Sequence, residues 1–195
     1  MSPEERLWEA WKHIKVPEYA RVEIDDDGIT LTVIGGARHA AVGRSLANAL
    51  RDHLRDTGWG PGHGHAVISG RKAVQPDLLV LPDDVEQIAD PEGLGVLASG
   101  VALVVEIVWP SAEGRNRDHV IKHRAYATAG IPVYVIVDDD DHGGAVTILT
   151  DPDTERRAYN RSARIPYGEE ALIPEGPAKG FVIGPEITGE RRTQS

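Results

Sequence analysis

Hydrophobic and polar positions along this chain follow two periods, and the switches between them mark out its elements. In residues 4–15, Leu7, Trp8, Trp11 and Ile14 are spaced to lie on one stripe of a short amphipathic helix. From Tyr19 to Ile34, two β-prone runs flank Asp25-Asp26-Asp27-Gly28, where Asp-Gly offers the positive φ of a tight turn, so a β-hairpin is expected. Residues 38–56 return to helical spacing with Ala41, Val42, Leu46, Ala49, Leu50 and Leu54, and Gly58 follows as a stop. A glycine-rich loop with His63 and His65 leads into the runs HAVIS and DLLVLP. The second is almost wholly apolar, as a strand covered on both faces should be.

Residues 83–100 are polar, with Pro91 and several glycines, and read as a surface connection. Val101 to Val108, VALVVEIV, is the strongest strand pattern in the chain and holds one charge, Glu106. Pro110 and Ser111 end it. Residues 115–129 then predict a helix with Val120, Ile121, Ala125 and Tyr126 toward its buried side, stopped by Gly130 and Pro132. Strands follow at Val133–Asp138 and 145–150, separated by a turn rich in Asp and Gly. Past Asp151 the pattern weakens into short edge strands, and residues 189–195 are expected to be disordered. There is no internal repeat. The element order predicts a mixed α/β fold with a central mixed sheet flanked by helices and an N-terminal hairpin.

A length of 195 residues suits one domain, expected over 1–188, with a core large enough to need no covalent staple. No apolar run reaches the roughly 20 residues of a bilayer span, and the start is charged and amphipathic, so a soluble, cytoplasmic protein is expected. Zero cysteines exclude disulfides, thiolate metal sites and cysteine nucleophiles. A formal charge of −10 repels polyanions at long range, so nucleic-acid binding would need a local basic surface. Arg115, Arg117, His119, Lys122, His123 and Arg124 supply a candidate, or form an ordinary solvated helix face.

Two acids stand in apolar settings. Asp77 follows Pro76 at the start of DLLVLP, and Glu106 lies inside its strand. An unpaired buried carboxylate costs several kcal/mol, so each needs a partner. A metal ion is one candidate; a turn cap for Asp77 and an arginine for Glu106 are the plainer ones.

The segments QPDLLVLPDD, LVVEIVWPSAEGRNRDHVIKHRAYATAGIPVYVIVDDD and, more loosely, RVEIDDDGITL followed by His39 resemble the PD-(D/E)XK nuclease superfamily. More narrowly, they resemble the bacterial restriction endonucleases of the Uma type. The resemblance covers most of residues 19–140, and E-x-V-x-P-S followed by D-x-x-x-K-x-x-x-Y-x-x-x-G is its specific part. It implies a restriction-endonuclease-like fold and metal-dependent hydrolysis of phosphodiester bonds, with DNA as the partner. Asp77 and Glu106 would ligate Mg²⁺ or Mn²⁺, joined by a backbone carbonyl, that of Ile107. The lysine usual two residues after the Glu is absent, Val108 standing there, and the resemblance implies that it has moved to the next helix as Lys122. Such a lysine would help the attacking water or clamp the phosphate.

Asp118, Lys122 and Tyr126 recur every four residues and share one helix face, where Asp118 could pair with Lys122. Glu23 matches an early acid of the family, as a further ligand, a supporting acid or a plain surface residue. His39 would line the site or sit at its helix end. His63 and His65 could bind a metal if on a strand, but the loop reading is preferred. Ser111, lacking a nucleophile setting, is expected to cap a turn. A homodimer would suit the cutting of both DNA strands. The competing readings are a nuclease-fold module that binds nucleic acid or a protein without cutting, and a self-assembling structural protein.

Overall fold

The computed structural model describes residues 1–33, 35–108 and 110–191. Ile34, the expected end of the hairpin, and residues 192–195 of the expected disordered tail lie outside them.

Helix α1 (Pro3–Lys12) begins with a capping box. The Ser2 side chain accepts from the Glu5 N–H, and the Glu5 carboxylate accepts from the Ser2 N–H. Strands β1 (Ala20–Ile24) and β2 (Ile29–Val33) form the expected hairpin, and α2 (Ala37–His53) the expected long core helix. There follow β3 (Trp59–Gly62), β4 (Val67–Ser69), β5 (Lys72–Val74), β6 (Leu78–Pro82), β7 (Val96–Leu97) and β8 (Leu103–Ile107). The predicted helix over 115–129 is a composite of α3 (Ala112–Asn116), a π-helical turn (Arg117–Lys122) and α4 (His123–Thr128). The chain closes with β9 (Val133–Asp138), β10 (Ala145–Asp153), β11 (Ala158–Pro166), β12 (Ala171–Leu172), β13 (Val182–Ile183) and α5 (Pro185–Thr188).

The strands divide between two main sheets and a small β12–β13 pair. One sheet runs β2-β1-β5-β4-β7 and the other β11-β10-β9-β8-β6-β3. In the second, β8 and β9 are parallel and their outer neighbours antiparallel, the mixed arrangement expected of the centre. Its side chains alternate between two cores. Leu78, Val80, Leu103, Val105, Val133 and Val135 face α2 and α5, while Leu79, Leu81, Val104, Tyr134 and Ile136 face the side that carries α4.

Several expectations need correction. On α1 only Trp8 and Trp11 are buried, stacked with ring centroids 5.0 Å apart, while Leu7 and Ile14 are exposed. The two indoles fill the space above β1, and Trp11 Nε1 donates to the Val22 carbonyl at 3.1 Å, so the narrower stripe suffices. Ala41 of α2 and Val120 are exposed as well. Part of the glycine-rich loop is a strand, β3, pairing with β6. Its glycines hide the period, yet a Cβ on Gly62 would stand 2.9 Å from the Leu81 side chain. β5 and β7 were not expected, and β11 is a nine-residue edge strand rather than a short one.

Gly144, in the β9–β10 turn, has φ +108°, and a Cβ there would lie 2.1 Å from the ring of buried Tyr167. Gly144→Ala is therefore expected to cost roughly 2–4 kcal/mol, combining left-handed backbone strain with overpacking. A urea midpoint unchanged from wild type would contradict this.

Candidate active site

Strand period and register alone bring the two acids together. β6 and β8 are antiparallel with Leu78 opposite Val105, and one further step sets Asp77 opposite Glu106. The Asp77 N–H donates to the Val105 carbonyl at 3.2 Å, continuing the ladder. Both side chains take the face covered by the π turn and α4, which is why groups from those helical turns reach Glu106. On β1, Arg21 and Glu23 are two residues apart and so also share a face. The peptide Gln75-Pro76-Asp77 crosses from β5 in one sheet to β6 in the other and passes through the middle of the group.

Glu106 is completely buried. Its Oε1 accepts from Lys122 Nζ at 2.9 Å and from the Tyr126 hydroxyl at 2.6 Å. Its Oε2 is buried without any hydrogen-bond partner among the described residues. Burial pushes this carboxyl up to about 8, against the pull of the Lys122 ammonium. Lys122, only 2 % exposed, spends its donors on Glu106, on the Gln75 carbonyl at 3.0 Å and on Glu23 Oε1 at 3.1 Å. Burial acts to lower its pKa, but the Glu106 and Glu23 carboxylates outweigh it, so Lys122 is held above its ordinary value as an ammonium. Glu23 Oε1 also accepts from the Gln75 N–H at 2.6 Å.

Asp77 is fully engaged. Oδ1 accepts from Arg21 Nη2 at 2.6 Å; Oδ2 accepts from the Ile107 N–H at 2.8 Å and lies 3.0 Å from His39 Nε2. Burial acts to raise its pKa, yet the His39 hydrogen bond and the Arg21 guanidinium prevail and hold it well below the usual carboxylate range. Arg21 also donates from Nη1 to the Gln75 carbonyl at 2.9 Å, while its Nε is buried without a partner among the described residues.

Beside this group opens a cleft of about 650 Å³, walled by β2 and the start of α3 and lined by Arg21, Glu23, His39, Arg117 and Lys122. Asp77 and Glu106 sit one layer deeper than these lining residues.

Each residue singled out from the sequence can now be placed. Asp77, Glu106, Lys122, Glu23 and His39 come together, and the backbone of Ile107 joins them through its N–H. Asp118 does not pair with Lys122; it takes a two-pronged pair from Arg117 Nε and Nη2 at 2.8 and 3.1 Å. The π turn widens the helix by one residue here and keeps Asp118, Lys122 and Tyr126 all on the buried side. His63 and His65 belong to the loop after β3, and His63 Nδ1 reaches only the Asp77 carbonyl, at 3.4 Å. Ser111 caps α3, its hydroxyl accepting from the Gly114 N–H. The basic face is largely neutralised: Arg115 pairs with Asp140, Arg117 with Asp118, His119 with Asp138, and Lys122 with its two glutamates. Arg21 was missed, although its place two residues before Glu23 on a strand was a usable signal.

A family profile described as "Putative restriction endonuclease", Uma2, matches residues 8–182. The chain belongs to the Uma2 family. Among solved structures, this Uma2-family chain is similar to a crystal structure described as "a putative nuclease belonging to DUF820" from Anabaena variabilis ATCC 29413. The TM-score is 0.67 at 13% identity, over 93% of this chain and 96% of that one. The likeness shows that this Uma2-family member shares the fold of that protein. No curated protein matches it. Among the described residues no helix is long and apolar enough to cross a membrane.

Proposed function

We propose that this chain is a divalent-metal-dependent endonuclease that hydrolyses phosphodiester bonds in DNA. The observation that carries the reading is Glu106 Oε2, a buried oxygen with no donor among the described residues, on the strand beside that of a second acid, Asp77, which the register sets opposite it. Ionised or protonated, that oxygen lacks a partner, and a buried polar atom left so costs about 1–3 kcal/mol. A cation bound there removes the deficit. The donors that would hold it are the Asp77 and Glu106 carboxylates and the Ile107 carbonyl, with Glu23 nearby, all hard oxygens suited to Mg²⁺ or Mn²⁺. Among the described residues no three acidic or histidine side chains already converge on one point. Asp77 therefore has to exchange a present partner for the ion.

When bound, such an ion supplies Lewis-acid charge at a phosphate oxygen and lowers the pKa of its water. The chain's own groups do the rest. Asp77 stays ionised, Tyr126 fixes the rotamer of Glu106, and Lys122 acts as a positioning counter-charge. With its donors committed and its ammonium form favoured, Lys122 is poorly placed to take a proton. Arg21, His39 and Arg117 face the cleft where a phosphate would lie.

A second reading, a nuclease-fold module that binds without cutting, draws on the full engagement of Asp77 by Arg21, His39 and Ile107. Metal binding and cleavage separate the two. Supercoiled DNA incubated with Mn²⁺ is expected to be nicked by wild type, with the rate lowered on the order of 100-fold or more in Asp77→Asn. Equal rates in both proteins would remove this site from the chemistry, and no Mn²⁺ binding at millimolar concentration would favour the second reading.

A further inference from the structure

We propose that Arg21 is a built-in stand-in for the metal: its guanidinium occupies Asp77 in the metal-free protein and swings away into the cleft when a divalent cation takes its place. The inference rests on the metal-dependent reading above and concerns how the site is kept until it is loaded.

Charge balance is the first argument. Asp77, Glu23 and Glu106 set three carboxyl groups against two cations, Arg21 and Lys122, in a place almost closed to water. Bringing in two further positive charges beside Arg21 would overcharge it. Three carboxylates are balanced by Lys122 and one divalent ion, so displacing the guanidinium leaves the group neutral, and a buried charge without compensation is the costly alternative. Geometry is the second. Both cations line the cleft, but Lys122 is tied to two carboxylates and a carbonyl, whereas Arg21 holds one carboxylate and one carbonyl and is the more exposed, at 7 % against 2 %. It is the cation with fewer ties to break. Third, its hydrogen bonding is incomplete. Nη1 and Nη2 are bonded, but among the described residues Nε is buried without a partner, as is Glu106 Oε2 of the same group. A buried donor left unsatisfied marks a guanidinium that Asp77 does not hold with all its donors. A guanidinium released into the cleft would present planar, paired N–H donors, the geometry that matches a phosphate.

The experiment is calorimetric titration of Mn²⁺ into wild type, Arg21→Gln and Arg21→Lys, with melting curves of each in EDTA. Removing the competitor should tighten Mn²⁺ binding on the order of tenfold in Arg21→Gln, even as the EDTA melting temperature falls because Asp77 has lost its counter-ion. Arg21→Lys, keeping the charge on a differently shaped stem, should fall between. A merely structural role would lower stability and affinity together. If wild type binds Mn²⁺ and Arg21→Gln binds no more tightly, the stand-in role is overturned while the metal site survives. If both are silent at millimolar Mn²⁺, the metal reading itself fails and takes this inference with it. Should Arg21→Gln not fold in EDTA, Arg21→Lys decides alone: tighter binding than wild type supports the role, and equal or weaker binding overturns it.

Discussion

Glu106→Gln should bind no Mn²⁺, lose metal-dependent cleavage by on the order of 10³-fold, and yet be the more stable protein above neutral pH in EDTA. The first two effects follow from removing a charged oxygen donor where a transition state gathers negative charge, an effect worth several kcal/mol. The third comes from linkage. The carboxyl of Glu106 is pushed up to about 8 in the folded chain, far above its ordinary value of 4.5. Between those two values the folded state holds a proton that the unfolded state has released, so folding stability falls as pH rises through that window. The contribution is complete below about pH 4.5 and gone once the pH passes about 8. Asp77 acts in the opposite sense. Its pKa is depressed, so its contribution is present above the ordinary aspartate range and disappears as the medium becomes more acidic. Metal-free wild type should therefore be most stable near pH 5 and soften toward pH 8. Glutamine copies the protonated carboxyl and does not titrate, so the alkaline slope should flatten. Thermal melts in EDTA from pH 5 to 9 provide the check, and parallel curves for the two proteins would refute the assignment of the slope to Glu106.

Lys122→Met should be the most destabilising single change in the site, at about 3–5 kcal/mol, because it strips the compensating charge from Glu23 and Glu106, both of them buried. Methionine keeps the length and apolar character of the stem, which isolates loss of the ammonium from loss of packing. The Gln75 carbonyl loses one of its donors in the same stroke. The cost should rise with pH, since at low pH the glutamates can neutralise themselves by taking protons. Denaturant unfolding at pH 6 and pH 8.5 reads both the size and the trend. A loss under about 1 kcal/mol at both would mean that the ammonium is not the partner of these acids.

How much of this was legible beforehand depended on whether the decisive neighbour lay near in sequence or across a sheet. The apolar run around Glu106 announced a buried strand, and the four-residue spacing of Asp118, Lys122 and Tyr126 announced a shared helix face. Both are local patterns, and resemblance to a nuclease family then tied Lys122 to the acids. Partner choice was not local. Asp118 could have reached Lys122 one turn away, but Arg117 reaches it with two N–H groups, and Lys122 is drawn instead toward Glu106 and Glu23, sixteen and ninety-nine positions off. β3 escaped notice because Gly60, Pro61 and Gly62 carry no alternation, and its place is set by the side chains of β6 that need room beneath it. The two-sheet division was hidden in three residues, Gln75-Pro76-Asp77, whose role is visible only when both sheets are seen. Arg21 looked like one more charge on a hairpin.

That three-residue crossover binds chemistry to mechanics. Its carbonyl and amide are gripped by Lys122, Arg21 and Glu23, while its aspartate leans on the Ile107 amide, so the polar knot works as a rivet between the two β layers, beside the apolar packing they share. A relative that cuts nothing would still need the rivet to keep its hairpin seated. Retention of these side chains in a relative is therefore weak testimony that the relative is an active nuclease.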